Sequence, residues 1–273
     1  MRAMQLAKTM FLAGLLASLA CSSGSSGGSQ TLAGCWTHYA STCNAGFFIV
    51  IEDDPLDGIQ EFLITVTEIE LVSGEDSFAF FSGARRVDLL AFAERGFLLA
   101  TRDDVPVARF DRVRMHVADL QIVPTPVGGQ PLLPDNGMID IQLEQPIVTE
   151  ADALQGLRLD FVVAQSLLFD VDGALQVDPL VLPTPEDGDV EVTALRARVL
   201  STSDDGAVEV ALAAGQGRRN LCLTSSADEI RSGDWIEIEG VLRGDRTIVA
   251  ERWVHVDPDS PALRPASLLR SSD

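Results

Sequence analysis

Alternation with a period of two, broken every few residues by Pro and Gly, is the feature that most limits what this chain can become. Phe62-Leu-Ile-Thr-Val-Thr-Glu-Ile-Glu-Leu71 places Phe62, Ile64 and Val66 on one face, then Ile69 and Leu71 in the opposite phase. The switch near Thr67 predicts a bulge, or a strand leaving one sheet for another. Phe110-Asp-Arg-Val-Arg-Met-His-Val117 turns Val113, Met115 and Val117 inward and Arg112, Arg114 and His116 outward, which makes His116 a solvated strand residue. Met138–Leu143 and Leu157–Val163 alternate in the same way, and Arg86–Leu90 and Phe97–Leu99 read as short elements. Phe47-Phe-Ile-Val-Ile51 is instead a continuous apolar run, closed by Glu52-Asp-Asp-Pro55. Pro124-Thr-Pro126, Gly128-Gly129 and Pro131–Gly137 supply turns. Helical spacing is confined to a turn or two at Glu150–Gln155 and at Ala164–Leu168. The chain is expected to be all-β, with a β-sandwich over residues 45–182.

Leu180-Val-Leu-Pro-Thr-Pro-Glu-Asp-Gly-Asp189 breaks the alternation, and residues 183–189 read as a linker. Strands resume with Leu195, Ala197 and Val199, a hairpin signal at Ser203-Asp-Asp-Gly206, and Val208–Leu212. Trp235–Leu242, a turn at Arg243-Gly-Asp-Arg246 and Thr247–Val256 follow. This second unit, residues 190–257, looks like a small OB-like β-barrel. Residues 258–273 are polar, contain Pro and read as a disordered tail.

The N-terminus has a different character. Arg2 and Lys8 precede the apolar stretch Met10–Ala20, which is followed by Cys21 and a Gly/Ser run. That is the tripartite form of a secretory signal, residues 1–20. Its apolar part, about eleven residues, is too short to span a bilayer. Leu19-Ala-Cys21 resembles the lipobox of bacterial lipoproteins, which implies acylation of Cys21 and anchorage through membrane lipid. Ser18-Leu-Ala20 also reads as an ordinary small-x-small cleavage site, which would give plain secretion. Ser22 rather than Asp after the cysteine implies an outer-membrane address in the bacterial cell envelope. Residues 21–44 then form a flexible tether and a cysteine loop.

Export is consistent with the remaining cysteines. Cys35 and Cys43 are expected to close a small disulfide loop, and Cys222, between Leu221 and Leu223, reads as a free, buried apolar residue. The spacing of Cys35, His38 and Cys43 matches no common zinc pattern. Acidic residues outnumber basic ones 41 to 20, for a net charge of −21. Such a surface repels phosphate backbones, so no nucleic acid is expected as a partner.

Motifs for catalysis are missing. His38, His116 and His255 stand near no Gly-x-Ser-x-Gly elbow, and Lys8 is the only lysine. Gly215-Gln-Gly217 lacks the third glycine and the helix of a dinucleotide site. Asp170-Val-Asp-Gly173 begins like a calcium loop but has no acid at the required later position. No catalytic residue, cofactor or metal ligand is assigned, and the chain is not expected to be an enzyme.

Four motifs fall in a recognisable order: Glu52-Asp-Asp-Pro55, Val87-Asp-Leu-Leu90, the arginine-bearing Phe110–Val117, and Leu157-Arg-Leu-Asp-Phe-Val-Val-Ala-Gln-Ser166. They resemble DUF4382, a domain of unknown function found in bacterial lipoproteins and similar to prealbumin-like β-sandwiches. Val162 replaces an Asp usual in the last motif, and Asp53-Asp54 precede Pro55 without the usual small residue. The resemblance implies a fold and an address, not a reaction. The resulting expectation is a lipid-anchored envelope protein that binds or scaffolds an envelope protein or glycan. The alternative is an envelope carbohydrate-binding or carbohydrate-processing module using Trp36, Tyr39, Trp235 or Trp253.

Overall fold

The computed structural model describes residues 44–257, apart from 54–55, 93–95, 127–128, 134, 170–174, 204–206, 214, 216–217 and 224–228. The signal, Cys21, the Cys35–Cys43 loop and the tail therefore lie outside the described residues.

Strand β1 (Asn44–Glu52) is the centre of the molecule. It pairs antiparallel with β4 (Phe97–Pro106) and parallel with β7 (Leu154–Phe161). A second, four-stranded sheet has the order β3-β2-β5-β6, from β2 (Glu61–Ser73), β3 (Asp76–Asp88), β5 (Arg109–Val123) and β6 (Met138–Val148). Phe47, Ile49 and Ile51 point at that sheet and join one core with Ile64, Val66, Met115 and Val117. Phe48 and Val50, on the opposite face of β1, belong to a second core with Leu98, Val192, Ile236 and Ile238. The continuous apolar run of β1 has this cause: the strand is covered on both faces, so neither set of positions meets water. Each buried phenylalanine contributes roughly 2–3 kcal/mol by area alone. Gly156, beside Phe48 on β7, leaves room for its ring, because a Cβ there would lie 2.2 Å from Phe48 Cε2.

The register shift between Val66 and Glu68 against both neighbours makes Thr67 a bulged residue, as the phase switch predicted. Two sequence expectations are corrected nearby. Glu150–Gln155 is a turn followed by β7, while Val163–Ser166 is the single helical turn α1. The expected linker is largely a strand: β10 (Val181–Asp187) pairs antiparallel along β7 from Val181↔Phe161 to Asp187↔Gln155. Its Pro183 and Pro185 are tolerated because β10 is the last strand of its sheet, where a missing N–H breaks no ladder. Strands β8 (Leu167–Phe169) and β9 (Leu175–Val177) form a small hairpin over one end of the sandwich.

The second unit is built from β11 (Val190–Thr202), β12 (Val208–Leu212), β13 (Arg218–Leu223), β14 (Trp235–Leu242) and β15 (Ile248–His255). Their order β11-β12-β13-β15-β14 closes through β11–β14 pairing into a small barrel, with β13 and β15 parallel. The all-β architecture of sheets followed by a small barrel is the one expected. Cys222 is half-buried on β13 and is bonded rather than free, which corrects its reading as an unpaired apolar residue.

Candidate functional site

Asp53, Asp88 and Ser166 of the sequence motifs are buried, and they hold backbone. Asp88 Oδ1 accepts from the Phe62 amide at 3.0 Å, and Asp53 Oδ1 from the Val163 amide at 3.4 Å. Ser166 Oγ donates to the Val162 carbonyl at 2.8 Å and accepts from the Leu180 amide at 2.9 Å. Asp53 and Asp88 sit where β1 and β3 end, and Ser166 ends α1, so they satisfy amides that no ladder reaches. Among the described residues no three His, Cys, Asp or Glu side chains gather at one point.

Residues 44–179 match the family described as Domain of unknown function (DUF4382). No curated protein and no solved structure matches the chain. The DUF4382 region thus ends just before β10, and the barrel lies beyond it.

The outer face of the four-stranded sheet is a polar surface built from cross-strand pairs. Arg114 bridges Glu70 at 3.2 Å and Asp140 at 3.0 Å, and these two carboxylates hold its guanidinium above its ordinary pKa. His116 is less free than expected. Its Nδ1 lies 2.6 Å from Thr67 Oγ1, and its Nε2 lies 3.0 Å from the Asn136 carbonyl. The bulge aims the Thr67 hydroxyl at that ring. A hydroxyl beside an imidazole is the pairing from which a nucleophile and its base are built, but this pair stands on an outward sheet face. On the other sheet, Arg158 is held between Glu52 and Glu186.

Between the sheets, Phe62, Ile64, Val117, Leu133, Phe161 and Ser166 line an apolar cavity. It offers about 10 Å³, the room of a single water, so it holds no ligand in this state. Above it the hairpin exposes leucines. Leu132 bridges to Gln176, which pairs with Leu168, so Leu132 and Leu168 share its outer face. Leu132 is 65 % exposed and Leu168 49 %. Leu180, just before β10, and Leu182, within it, are also exposed. These side chains lie where β1 finishes, a full strand length from Asn44.

Sandwich and barrel meet along the face of β1 and β4 that carries Phe48, Val50 and Leu98. Thr101 bridges to Gly215, so close that a Cβ on Gly215 would lie 1.9 Å from the Thr101 carbonyl oxygen. Arg219 reaches from β13 to both oxygens of Asp103 on β4. Within the barrel Arg196 pairs with Glu237 at 3.2 Å, with both side chains buried. Arg85, from β3, donates to the Leu99 carbonyl at 2.7 Å and lies over the Phe97 ring. Burial, and then the nearby Arg196, push its pKa down to about 10. None of these arginines carried a role in the sequence. The only signal was Arg218-Arg219 ending a Gly-rich loop, which gives no hint of a partner on β4. Arg243-Gly-Asp-Arg246 is a turn, as expected, closed by the Arg243 amide on the Thr247 carbonyl at 2.8 Å.

Proposed function

We propose that the chain is a lipid-anchored bacterial cell-envelope protein with a non-catalytic binding or scaffolding role, its first domain a prealbumin-like sandwich. The observation that carries this reading is the placement of the exposed leucines. The segment bearing Cys21 enters at Asn44, at one end of β1, whereas Leu132, Leu168, Leu180 and Leu182 occupy the other end. Nine residues of strand separate the ends by about 30 Å. A lipid at Cys21 would thus hold the Asn44 end of β1 nearer the outer membrane and present the apolar end outward. Contiguous exposed apolar groups rimmed by polar ones are the usual mark of a contact surface. The carbohydrate reading has less support, because Trp253 packs against the barrel core and Trp235 is half-buried.

Mass spectrometry of the mature N-terminal peptide tests the anchor, and a photo-crosslinker at Leu168 tests the surface. Acylated Cys21 with an envelope protein captured from Leu168 is the expected result. A bare Cys21 thiol on a protein that washes off membranes refutes the anchor. Equal capture from Leu168 and from a polar control site such as Glu144 refutes the surface.

A further inference from the structure

Cys222 is the only cysteine among the described residues, and it is disulfide-bonded. The chain has three other cysteines, Cys21, Cys35 and Cys43, and all of them precede β1. One of them is therefore its partner within the chain, so a barrel strand is tied to the segment that carries the anchor. Leu221 belongs to the barrel core and Leu223 packs against it, so Cys222 between them faces outward from the barrel wall. A sulfur so placed can be met from outside the barrel. Under the lipid-anchored reading, on which this inference rests, the Cys21 sulfur carries lipid and cannot enter a disulfide. The partner is then Cys35 or Cys43, and either one replaces the small Cys35–Cys43 loop expected from the sequence.

The strand directions choose between them. The Thr101–Gly215 bridge is parallel, so the chain after Gly215 runs with β4 from Thr101 toward Pro106. Arg219, further along that chain, reaches Asp103, further along β4. Pro106 pairs with Asn44, so β13 heads for the start of β1. Strand β15 gives the same direction. It lies parallel to β13, with Val249 opposite Cys222. Arg246, just before β15, lies beside Gly46, where a Cβ would be 3.2 Å from its Nε. Val249 is three positions beyond Arg246, and Cys43 is three positions before Gly46. Because β15 and β1 run in opposite senses, both steps lead the same way, and Cys222 and Cys43 fall at one level. Cys43 is also positioned by its neighbour, since the Asn44 carbonyl accepts from the Asp152 amide at 3.2 Å. Cys35 stands nine positions before Asn44, and bringing it in would cost the conformational freedom of the residues between.

We infer that Cys43 and Cys222 form a disulfide that staples the barrel to the root of the tether. As the S–S bond forms, the two thiols give up two protons and two electrons to a thiol–disulfide oxidoreductase of the oxidising export compartment. The bond closes a ring of roughly 180 residues that contains the whole sandwich and the first strands of the barrel. Closing so long a ring strongly restricts the unfolded chain. A pull on the lipid then reaches barrel and sandwich together, and reduction releases the barrel from the tether. Cys35 is left as the free thiol of the chain.

The test uses the full chain, produced with its leader in a bacterium, purified in detergent without reductant and alkylated before digestion. Mass spectrometry of the unreduced peptides is expected to show Cys43 joined to Cys222 and the alkyl group on Cys35. Reductant is expected to lower the Tm of the intact protein by about 5–10 °C. Cys35→Ser is expected to keep that drop, and Cys43→Ser and Cys222→Ser to lose it. A free Cys222 thiol, or Cys222 joined to Cys35, overturns the pairing, and lipid found on Cys21 in the same digest leaves the anchor standing. A drop that survives Cys222→Ser overturns the pairing as well. Cys222 joined to Cys21 overturns both the pairing and the anchor. An unmodified Cys21 beside a Cys43–Cys222 bond supports the pairing and refutes the anchor alone.

Discussion

The sandwich and the barrel bury their polar groups in opposite ways. In the sandwich, Asp53, Asp88 and Ser166 are spent on backbone amides and carbonyls at strand ends. In the barrel and its seam, Arg196, Glu237 and Arg219 are spent on other side chains, across strands and across units. A sheet pair covered by a second sheet needs only its ends closed, and short side chains suffice for that. A small barrel closing against a neighbour has charged side chains at its rim, and each must find its counterpart as the two parts meet. Strand β1 belongs to both arrangements, one face to each core.

That shared strand gives the largest expected effects. Phe47→Ala and Phe48→Ala should each cost about 3–5 kcal/mol, but at different places. Phe47→Ala weakens the sandwich core. Phe48→Ala weakens the contact with the barrel, and denaturant unfolding followed by Trp235 and Trp253 fluorescence should then show the barrel melting first. Coincident transitions in Phe48→Ala would mean that the two cores are not separately weakened.

The Arg196–Glu237 pair should show the barrel's dependence on matched charges. Glu237→Ala leaves a buried guanidinium, for an expected loss of about 3–5 kcal/mol, whereas Arg196→Met with Glu237→Leu together should be nearly neutral. In the sandwich the comparable change is Asp88→Ala, which orphans the Phe62 amide for about 1–3 kcal/mol. No apolar double replacement rescues that loss, because the partner is backbone. Urea midpoints of the three variants check the contrast, and a double barrel variant as weak as Glu237→Ala would remove it.

How much of this was legible follows from which interactions are local. The inward faces of β2 and β5 and the bulge at Thr67 were readable, because alternation is written into neighbouring residues. The double burial of Phe47–Ile51 was visible as an unbroken run, though not what covered either face. Pro183 and Pro185 concealed β10, since a sequence does not say that a strand is the last of its sheet. Asp53, Asp88 and Ser166 belonged to readable motifs, but their use as backbone clamps did not show. The seam was illegible. Arg219 meets Asp103, and Arg85 nears Arg196, only after both units have folded.

Arg85 gives a smaller effect of the opposite sign. Its folded pKa, about 10, is below the ordinary arginine value, so the fold disfavours the cation. The cost is fully present below about pH 10 and is relieved as pH rises from there toward the ordinary arginine value. Arg85→Met should therefore stabilise the protein at neutral pH, by about 1 kcal/mol once the lost contacts with Leu99 and Phe97 are offset. A lower urea midpoint for Arg85→Met would show that those contacts outweigh the burial of charge.

Asp104 provides the smallest effect and separates surface pairing from the buried kind. Arg102 binds both of its oxygens, at 2.7 and 2.5 Å, donates to the Ala79 carbonyl on β3, and lies over Phe78. The hydrogen bonds from Arg102 hold the Asp104 carboxyl below its ordinary 3.8. A depressed carboxylate pKa contributes stability above the ordinary value, and that contribution is lost as pH falls through the folded one. Because Asp104 is 47 % exposed, solvent screening limits the contribution to below about 1 kcal/mol. Asp104→Asn should accordingly melt slightly below the parent chain at pH 7, and the gap should narrow as pH falls below the ordinary 3.8. The buried Glu237→Ala should differ from the parent by several times as much at pH 7. If the Asp104 gap equalled the Glu237 gap, exposure would not be what separates the surface of the sandwich from the interior of the barrel.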